Sequence, residues 1–341
     1  MSAEQLLEVV LPGVVEPEGL QVRRREVGRP GAGQALVRVE ASGVSFAEQQ
    51  MRRGKYYDQP AFPFVPGYDL VGTVVEVGAG VDARLVGGRF AALTKVGGWA
   101  SHVLLDAADL VEVPDGVDPA EAETFVVNGL TAWRMLHGVA RVRSGQTVLV
   151  HGANGGVGST LVQLAVLAGA RVIGTASPRH HDAVRALGAI PVDYRDDVRA
   201  RVRALAPDGV DAVFDHVGGP GLVDSYRLLA RRGTLVSYGT ASTRDEAGSS
   251  RLPVLKLFLR LLWWNARPDG HRAGFFNIWA GRRDADRFRA GLRRDLGEVF
   301  GLLARGELRA QVAARVPLER VAEAVALAES GTVAGKVVLV P

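Results

Sequence analysis

The chain has 341 residues, about twice the ~150-residue scale of a single domain, so two domains are expected rather than one large core. Hydrophobic residues make up 47% and charged residues 23%, which excludes a disordered or fibrous chain; with no cysteine there is no disulfide framework, thiolate nucleophile or Cys-ligated metal centre. The net charge of +4 rests on scattered arginines, with Lys55, Lys95, Lys256 and Lys336 the lysines, and with aromatics at only 6% nucleic-acid binding is not expected.

The first eleven residues carry Glu4 and Glu8 and lack both a basic start and a signal-type apolar core, so a cytoplasmic location is the expectation. Up to about residue 120 the pattern has period two: Val37, Val39 and Ala41 alternate with Arg38 and Glu40, and 99–105 alternates similarly between turn-rich stretches. That part reads as a β domain. After Pro119 the pattern becomes helix (120–137), strand (147–150), helix (159–168), strand (171–175) and helix (180–187). It continues as strand (210–215), helix (222–229) and strand (234–238), the alternation of a parallel α/β sheet. A helical stretch over 284–305 leads to a last strand-like segment, 335–340, which returns to the β domain and makes it discontinuous. The boundaries expected are 1–124, 125–284 and 285–341.

Directly after the strand at 147–150 comes Gly152-Ala153-Asn154-Gly155-Gly156-Val157-Gly158, followed by a helix with Leu161, Leu164, Ala165 and Ala168 on one face. Glycines there let the backbone turn sharply and approach a pyrophosphate, whose charge faces free N–H groups and the helix dipole. The strict G-x-G-x-x-G pattern is not met, because Leu161 stands where its last glycine belongs; a glycine-rich turn without a ligand is the competing reading.

With "GLTAW" (129–133), "DHVG" (215–218) and "VSYGTAS" (236–242) in the same order, and "SGVSFAEQQMRRGKY" and "FPFVPGYDLVG" upstream, the chain resembles the zinc-independent quinone oxidoreductases of the medium-chain dehydrogenase/reductase superfamily. Their A-x-x-G-G-V-G loop is approached by Ala153–Gly158 after a one-residue compression. The tail motifs "WW" (263–264) and "GFFNIW" (274–279) look most like the branch of the vesicle amine transport protein homologues. The resemblance implies an α/β fold: a Rossmann-type doubly wound parallel sheet plus a discontinuous, GroES-like, β-rich catalytic domain, commonly as a homodimer.

Zinc-dependent relatives hold their metal with a "GVC" cysteine and the His-Glu of "GHE"; here those positions are Ser45 and Gly67-Tyr68-Asp69, so no metal is expected. Ser177, nineteen residues after Gly158, stands where an NAD-type acidic residue is absent, and Arg179, His180 and His181 follow it, a set that suits the 2′-phosphate of NADPH. The resemblance adds Tyr194 along the adenosine phosphate, Asn128 and Thr131 at the nicotinamide ribose, and Thr240 and Phe276 beside the nicotinamide. Gly218, Tyr238 and Gly239 join the cofactor set through their motifs, and Lys336 as a lysine bordering the cofactor. Tyr56 aligns with the tyrosine of the substrate site, with Ser45 and Glu48 replacing the usual Asn and Asp. The expected activity is hydride transfer from NADPH to a small-molecule quinone or α,β-unsaturated carbonyl acceptor. An enoyl reductase of a biosynthetic pathway and an NADPH-binding protein with a structural or membrane-associated role are the alternatives.

Residues 252–264, "LPVLKLFLRLLWW", form an apolar stretch in which Lys256 and Arg260 share a helical face. It is too short to span a bilayer, and it is expected to serve as a lid or dimer contact ahead of contact with a membrane surface.

Overall fold

The computed structural model describes residues 5–239, 241 and 251–341, with backbone alone for 251–256. The chain divides into two compact units, 1–130 with 281–341 and 131–280. These limits fall a few residues from the boundaries read at 124 and 284, because the first division lies inside one continuous helix.

The first unit is built on strands. In chain order it holds β1 (Gln5–Val10), β2 (Gln21–Glu26), β3 (Gln34–Val44), α1 (Phe46–Arg52), β4 (Asp69–Val77), β5 (Arg89–Leu93), β6 (His102–Asp106), β7 (Val111–Glu112) and most of α2 (Pro119–Trp133). β1 and β2 form an antiparallel pair. The alternation read at 37–41 belongs to β3, where Ala35, Val37, Val39 and Ala41 are buried and Arg38 is exposed. Its inward side chains pack with Leu70, Val74, Phe90 and Leu110.

In the second unit the strands are β8 (Thr147–Val150), β9 (Arg171–Ala176), β10 (Ile190–Asp193), β11 (Val210–Asp215), β12 (Leu229–Ser237) and β13 (Arg272–Phe275). Between them run α3 (Gly156–Leu167), α4 (His181–Ala186), α5 (Val198–Leu205), α6 (Gly221–Arg227) and α7 (Arg251–Asn265). All pair in parallel, in the order β10-β9-β8-β11-β12-β13. Numbered from β8, this is the 3-2-1-4-5-6 order of a doubly wound nucleotide-binding sheet, whose ligands lie at the carboxyl ends of the strands where the winding reverses. The buried, β-branched run of β8 suits its place in the middle of such a sheet.

Four elements differ from the sequence reading. The helix read over 120–137 is α-helical only to Trp133; a wider π-type turn carries 134–140 to Arg141, which closes it at φ 54°. β12 begins five residues ahead of the strand read at 234, its first residue Leu229 pairing with Val210 across a bulge. β10 and α5 carried no clear pattern, since Pro191 interrupts the strand and α5 buries little beyond Val202.

The chain then returns to the first unit with α8 (Ala285–Ala304), β14 (Val312–Pro317), α9 (Val321–Glu329) and β15 (Lys336–Val340). β15 lies antiparallel to β3, Val337 opposite Val44 and Val338 opposite Gly43, and parallel to β14. It completes the sheet β14-β15-β3-β4-β5-β7, with β6 paired to β3. Val337 and Leu339 pack with Val9, Val44, Trp99, Leu318, Val321 and Val325 in a second core.

Candidate functional site

The glycine-rich segment leaves β8 at its carboxyl end and is fastened to the neighbouring strand. Ala153 N–H donates to Thr175 O at 2.9 Å, Gly152 N–H to Thr175 Oγ1 at 3.1 Å, and His151 N–H to Phe214 O at 3.0 Å. Gly152 adopts φ +65°, and a Cβ on Gly158 would lie 2.0 Å from the Gly152 oxygen, so the first turn of α3 presses on the loop at a spacing that only glycine allows. α3 starts at Gly156 behind Gly155, which has no side chain with which to cap it. Its first N–H groups and the positive end of its dipole are therefore left for an anion; Asn154, Gly155, Gly156 and Val157 are partly exposed there, whereas Ala153 is buried.

Beneath the loop runs a polar chain that the sequence reading did not find. Thr175 Oγ1 lies 3.3 Å from His151 Nδ1, His151 Nε2 lies 3.1 Å from Ser225 Oγ, and Ser225 donates to Asp215 Oδ2 at 2.6 Å. Because Ser225 spends its proton on Asp215, it must accept from His151 Nε2–H, which leaves Nδ1 to accept from Thr175. That order holds only for a neutral imidazole, and burial lowers the His151 pKa accordingly. Asp215 Oδ1 takes the N–H groups of Val217 and Gly218 at 2.8 and 2.9 Å. Gly152 is thus tied through a single wire to the turn carrying Gly218.

The ring of His216 fills the space beside Gly152, where a Cβ would meet it at 2.4 Å, and a Cβ on Gly239 would lie 2.8 Å from the His216 carbonyl oxygen. Tyr238 donates its N–H to Asp215 O at 2.9 Å and sets its ring 5.9 Å from that of His216; burial and the Asp215 charge raise its pKa. So the loop, Gly218, Tyr238 and Gly239 come together around His216. Phe276 donates its N–H to Ser237 O at 2.7 Å just past β13, whereas Thr240 lies outside the described residues.

At the end of β9, Ser177 leads a short 3-10 turn, Pro178–His180. Arg179 is exposed, but His180 is buried, with no hydrogen-bond partner for Nε2. His181 donates Nε2–H to Ala176 O at 3.2 Å, closing its own turn. Tyr194 is exposed beyond β10, beside an Arg195–Asp193 ion pair at 2.8 Å. Of the residues read for a 2′-phosphate, Ser177 and Arg179 therefore have the accessible polar groups.

The other candidates belong to the first unit. Ser45 caps α1, taking Ala47 N–H at 3.2 Å, and Glu48 closes a capping box by taking Ser45 N–H at 3.0 Å. The second Glu48 oxygen accepts Tyr68 N–H at 2.7 Å, and burial raises this carboxyl's pKa. Tyr56 is half-buried on the loop after α1, and its hydroxyl is 2.8 Å from that of Tyr68. Burial pushes the Tyr56 phenol far above its ordinary pKa, with Tyr68 adding to the rise, so it stays a proton donor.

Lys336 is 4% exposed and donates to Asp69 and to Glu123, each at 2.7 Å; Asp69 also accepts Val127 N–H at 3.0 Å. Burial opposes its charge, yet the two carboxylates outweigh burial and raise the lysine pKa. Burial and the neighbouring Asp69 charge push the Glu123 pKa well up, while the Lys336 ammonium pulls it down. Two of the three Lys336 donors are thereby committed inside the unit. Asn128 and Thr131 are buried in α2, on either side of the division. Ser45 bonded to Glu48, Tyr68 to Tyr56, and Asp69 paired with Lys336 do not make a zinc donor set.

Comparison with known proteins gives two family matches, an alcohol dehydrogenase GroES-like domain over residues 31–115 and a zinc-binding dehydrogenase domain over 187–339. The human synaptic vesicle membrane protein VAT-1 homolog is 31% identical over 333 residues, 94% of this chain and 82% of that protein. A mycobacterial protein solved with NADPH superposes with a TM-score of 0.83 at 30% identity, covering 98% of this chain and 100% of that one. A quinone oxidoreductase of Pseudomonas syringae pv. Tomato DC3000 superposes at 0.84 with 29% identity and the same coverage.

Proposed function

The chain is an oxidoreductase of the medium-chain dehydrogenase/reductase superfamily, and from that premise we propose that it reduces a quinone or an α,β-unsaturated carbonyl compound with NADPH and without a metal. The observation that carries the proposal is the loop at 152–158, an uncapped helix start held on β9 at the carboxyl end of the first strand of a 3-2-1-4-5-6 sheet. The NADPH bound by the mycobacterial relative supports the choice of cofactor, and the name of the Pseudomonas relative supports the acceptor class.

When bound, the cofactor supplies a hydride. The N–H groups of 156–158 and the α3 dipole hold its pyrophosphate, and the neutral His151 wire keeps Gly152 in its left-handed turn. Ser177 and Arg179 meet the 2′-phosphate, with His180, His181 and Tyr194 shaping that end. Gly218, Tyr238, Gly239, Phe276 and Thr131 would line the rest of the cofactor surface within the second unit. Tyr56 donates to the acceptor oxygen as it gathers negative charge, while Ser45 and Glu48 hold the backbone around it. Lys336 serves by fixing Asp69, one residue from Tyr68.

Fluorescence titration at a single ionic strength is expected to give NADPH a Kd at least roughly tenfold below that of NADH, since each charge-assisted bond to the 2′-phosphate contributes about 1.5–3 kcal/mol. Arg179→Ala should remove most of that preference and leave NADH binding in place. NADPH oxidation should then follow addition of 1,4-benzoquinone or a simple enone. Equal constants for the two cofactors, or binding without turnover on either acceptor, would overturn the reading.

A further inference from the structure

Tyr68 occupies the position where the resemblance places a zinc-ligand histidine, and the structure gives its side chain a different partner. It is 4% exposed and stands immediately before β4. Both of its backbone polar groups are fixed: its N–H donates to Glu48 at 2.7 Å, and its carbonyl accepts from Thr94 at 2.9 Å and Lys95 at 3.1 Å. Tyr56 approaches it edge-on, with ring centroids 6.3 Å apart at 83°, and the two hydroxyls are 2.8 Å apart. One phenol is therefore anchored and the other, on a loop and half-buried, is the more accessible of the two.

We propose that Tyr68 is a positioning residue for Tyr56, donating its hydroxyl proton to the Tyr56 oxygen so that the Tyr56 proton is directed to the acceptor oxygen. This rests on the reductase reading above. A phenol has one proton to donate. If Tyr56 gave its proton to Tyr68, none would remain for the carbonyl or quinone oxygen, so only the order Tyr68 to Tyr56 to acceptor leaves the accessible hydroxyl a donor. Two hydrogen bonds in series also polarise one another, which strengthens the outer one as negative charge develops on the acceptor. Burial keeps Tyr56 protonated across the working pH range, so the pair acts by hydrogen bonding and no bond need break in either residue.

The test is a cycle of wild type, Tyr68→Phe, Tyr56→Phe and the double variant, each measured for NADPH affinity and for kcat and KM with an enone. Tyr68→Phe should lower kcat roughly tenfold, leave NADPH affinity unchanged, and add little to Tyr56→Phe, because its effect passes through that hydroxyl. Unchanged kcat, or an equal further loss in the Tyr56→Phe background, would overturn the proposal. Wild-type protein that binds NADPH and turns over no acceptor would instead remove the reductase reading on which it stands. Should Tyr68→Phe not fold, 3-fluorotyrosine at position 68 keeps the shape and makes a stronger donor. Its kcat should then equal or exceed that of wild type, and a fall would count against the proposal.

Discussion

Lys336 is tied by one ammonium to two carboxylates that lie 267 and 213 residues away in sequence. Its packing is tight as well as charged, for a Cβ on Gly43 would stand 2.0 Å from the lysine Cε. Removing the cation while keeping the carboxylates leaves buried negative charge unpaired, the costly way to break such a cluster. Lys336→Met is therefore expected to lower stability by about 3–5 kcal/mol at pH 8. The deficit should shrink towards pH 5. Glu123 has a folded pKa raised above its ordinary 4.5, so its share of the stability is complete below that value and is lost as pH climbs through the raised one. Wild type limits that loss with the ammonium, and the variant cannot. Urea unfolding at the two pH values measures it, and an equal deficit at both would assign the cost to packing. The sequence marked Lys336 by its place near the last strand and, through the resemblance, as a lysine bordering the cofactor. Its partners are set by how β3, β4, α2 and β15 meet, which no local pattern records.

Among the elements, α7 shows how a periodic segment was legible while its orientation was not. The apolar stretch at 252–264 was read as one amphipathic helix, and the described side chains divide sharply. Leu261 and Trp264 are buried, whereas Phe258, Leu259, Leu262 and Trp263 are exposed. Trp264 stacks on Tyr226 with centroids 4.3 Å apart and planes within 9°, inside the core that holds Leu235 and Val213. Trp263 is 60% exposed and lies near the Arg267 guanidinium, 5.2 Å from its ring centre. Trp264→Ala should consequently cost about 3–5 kcal/mol through the cavity it leaves, and Trp263→Ala less than about 1 kcal/mol. Chemical denaturation of the two variants tests this, and similar losses would contradict the orientation. Adjacent tryptophans read alike because the period of a helix fixes which residues share a face, whereas the neighbour that covers the face is a tertiary fact. Among the described residues, no helix is long and apolar enough to cross a membrane.

At the scale of the whole chain, the alternation after Pro119 was enough to foresee a parallel α/β sheet, since each βα unit contains its own period change from two to 3.6, and its doubly wound order was what the resemblance implied. The β-rich part was harder, because its sheet is closed by residues from both ends of the chain. β15 lies between β14 and β3, and Lys336, Val337, Val338 and Leu339 are all buried. The ending "GKVVLVP" was legible as a strand returning to the β domain; its pairing with β3, almost 300 residues earlier, was not. Such a contact forms late in entropic terms, because a very long loop must close before the hydrogen bonds of β15 and its core contacts compensate. Ending the chain at Gly335 would expose the edges of β3 and β14 together and empty the core around Trp99 and Val325. The truncated chain is expected to lose the cooperative unfolding transition of the first unit and to aggregate through those edges. Under the same conditions the second unit, which draws no strand from 336–340, should retain its far-ultraviolet signature and NADPH binding through the loop at 152–158. Calorimetry alongside cofactor titration measures both, and an unaltered first transition would show that β15 is dispensable to the sheet it completes.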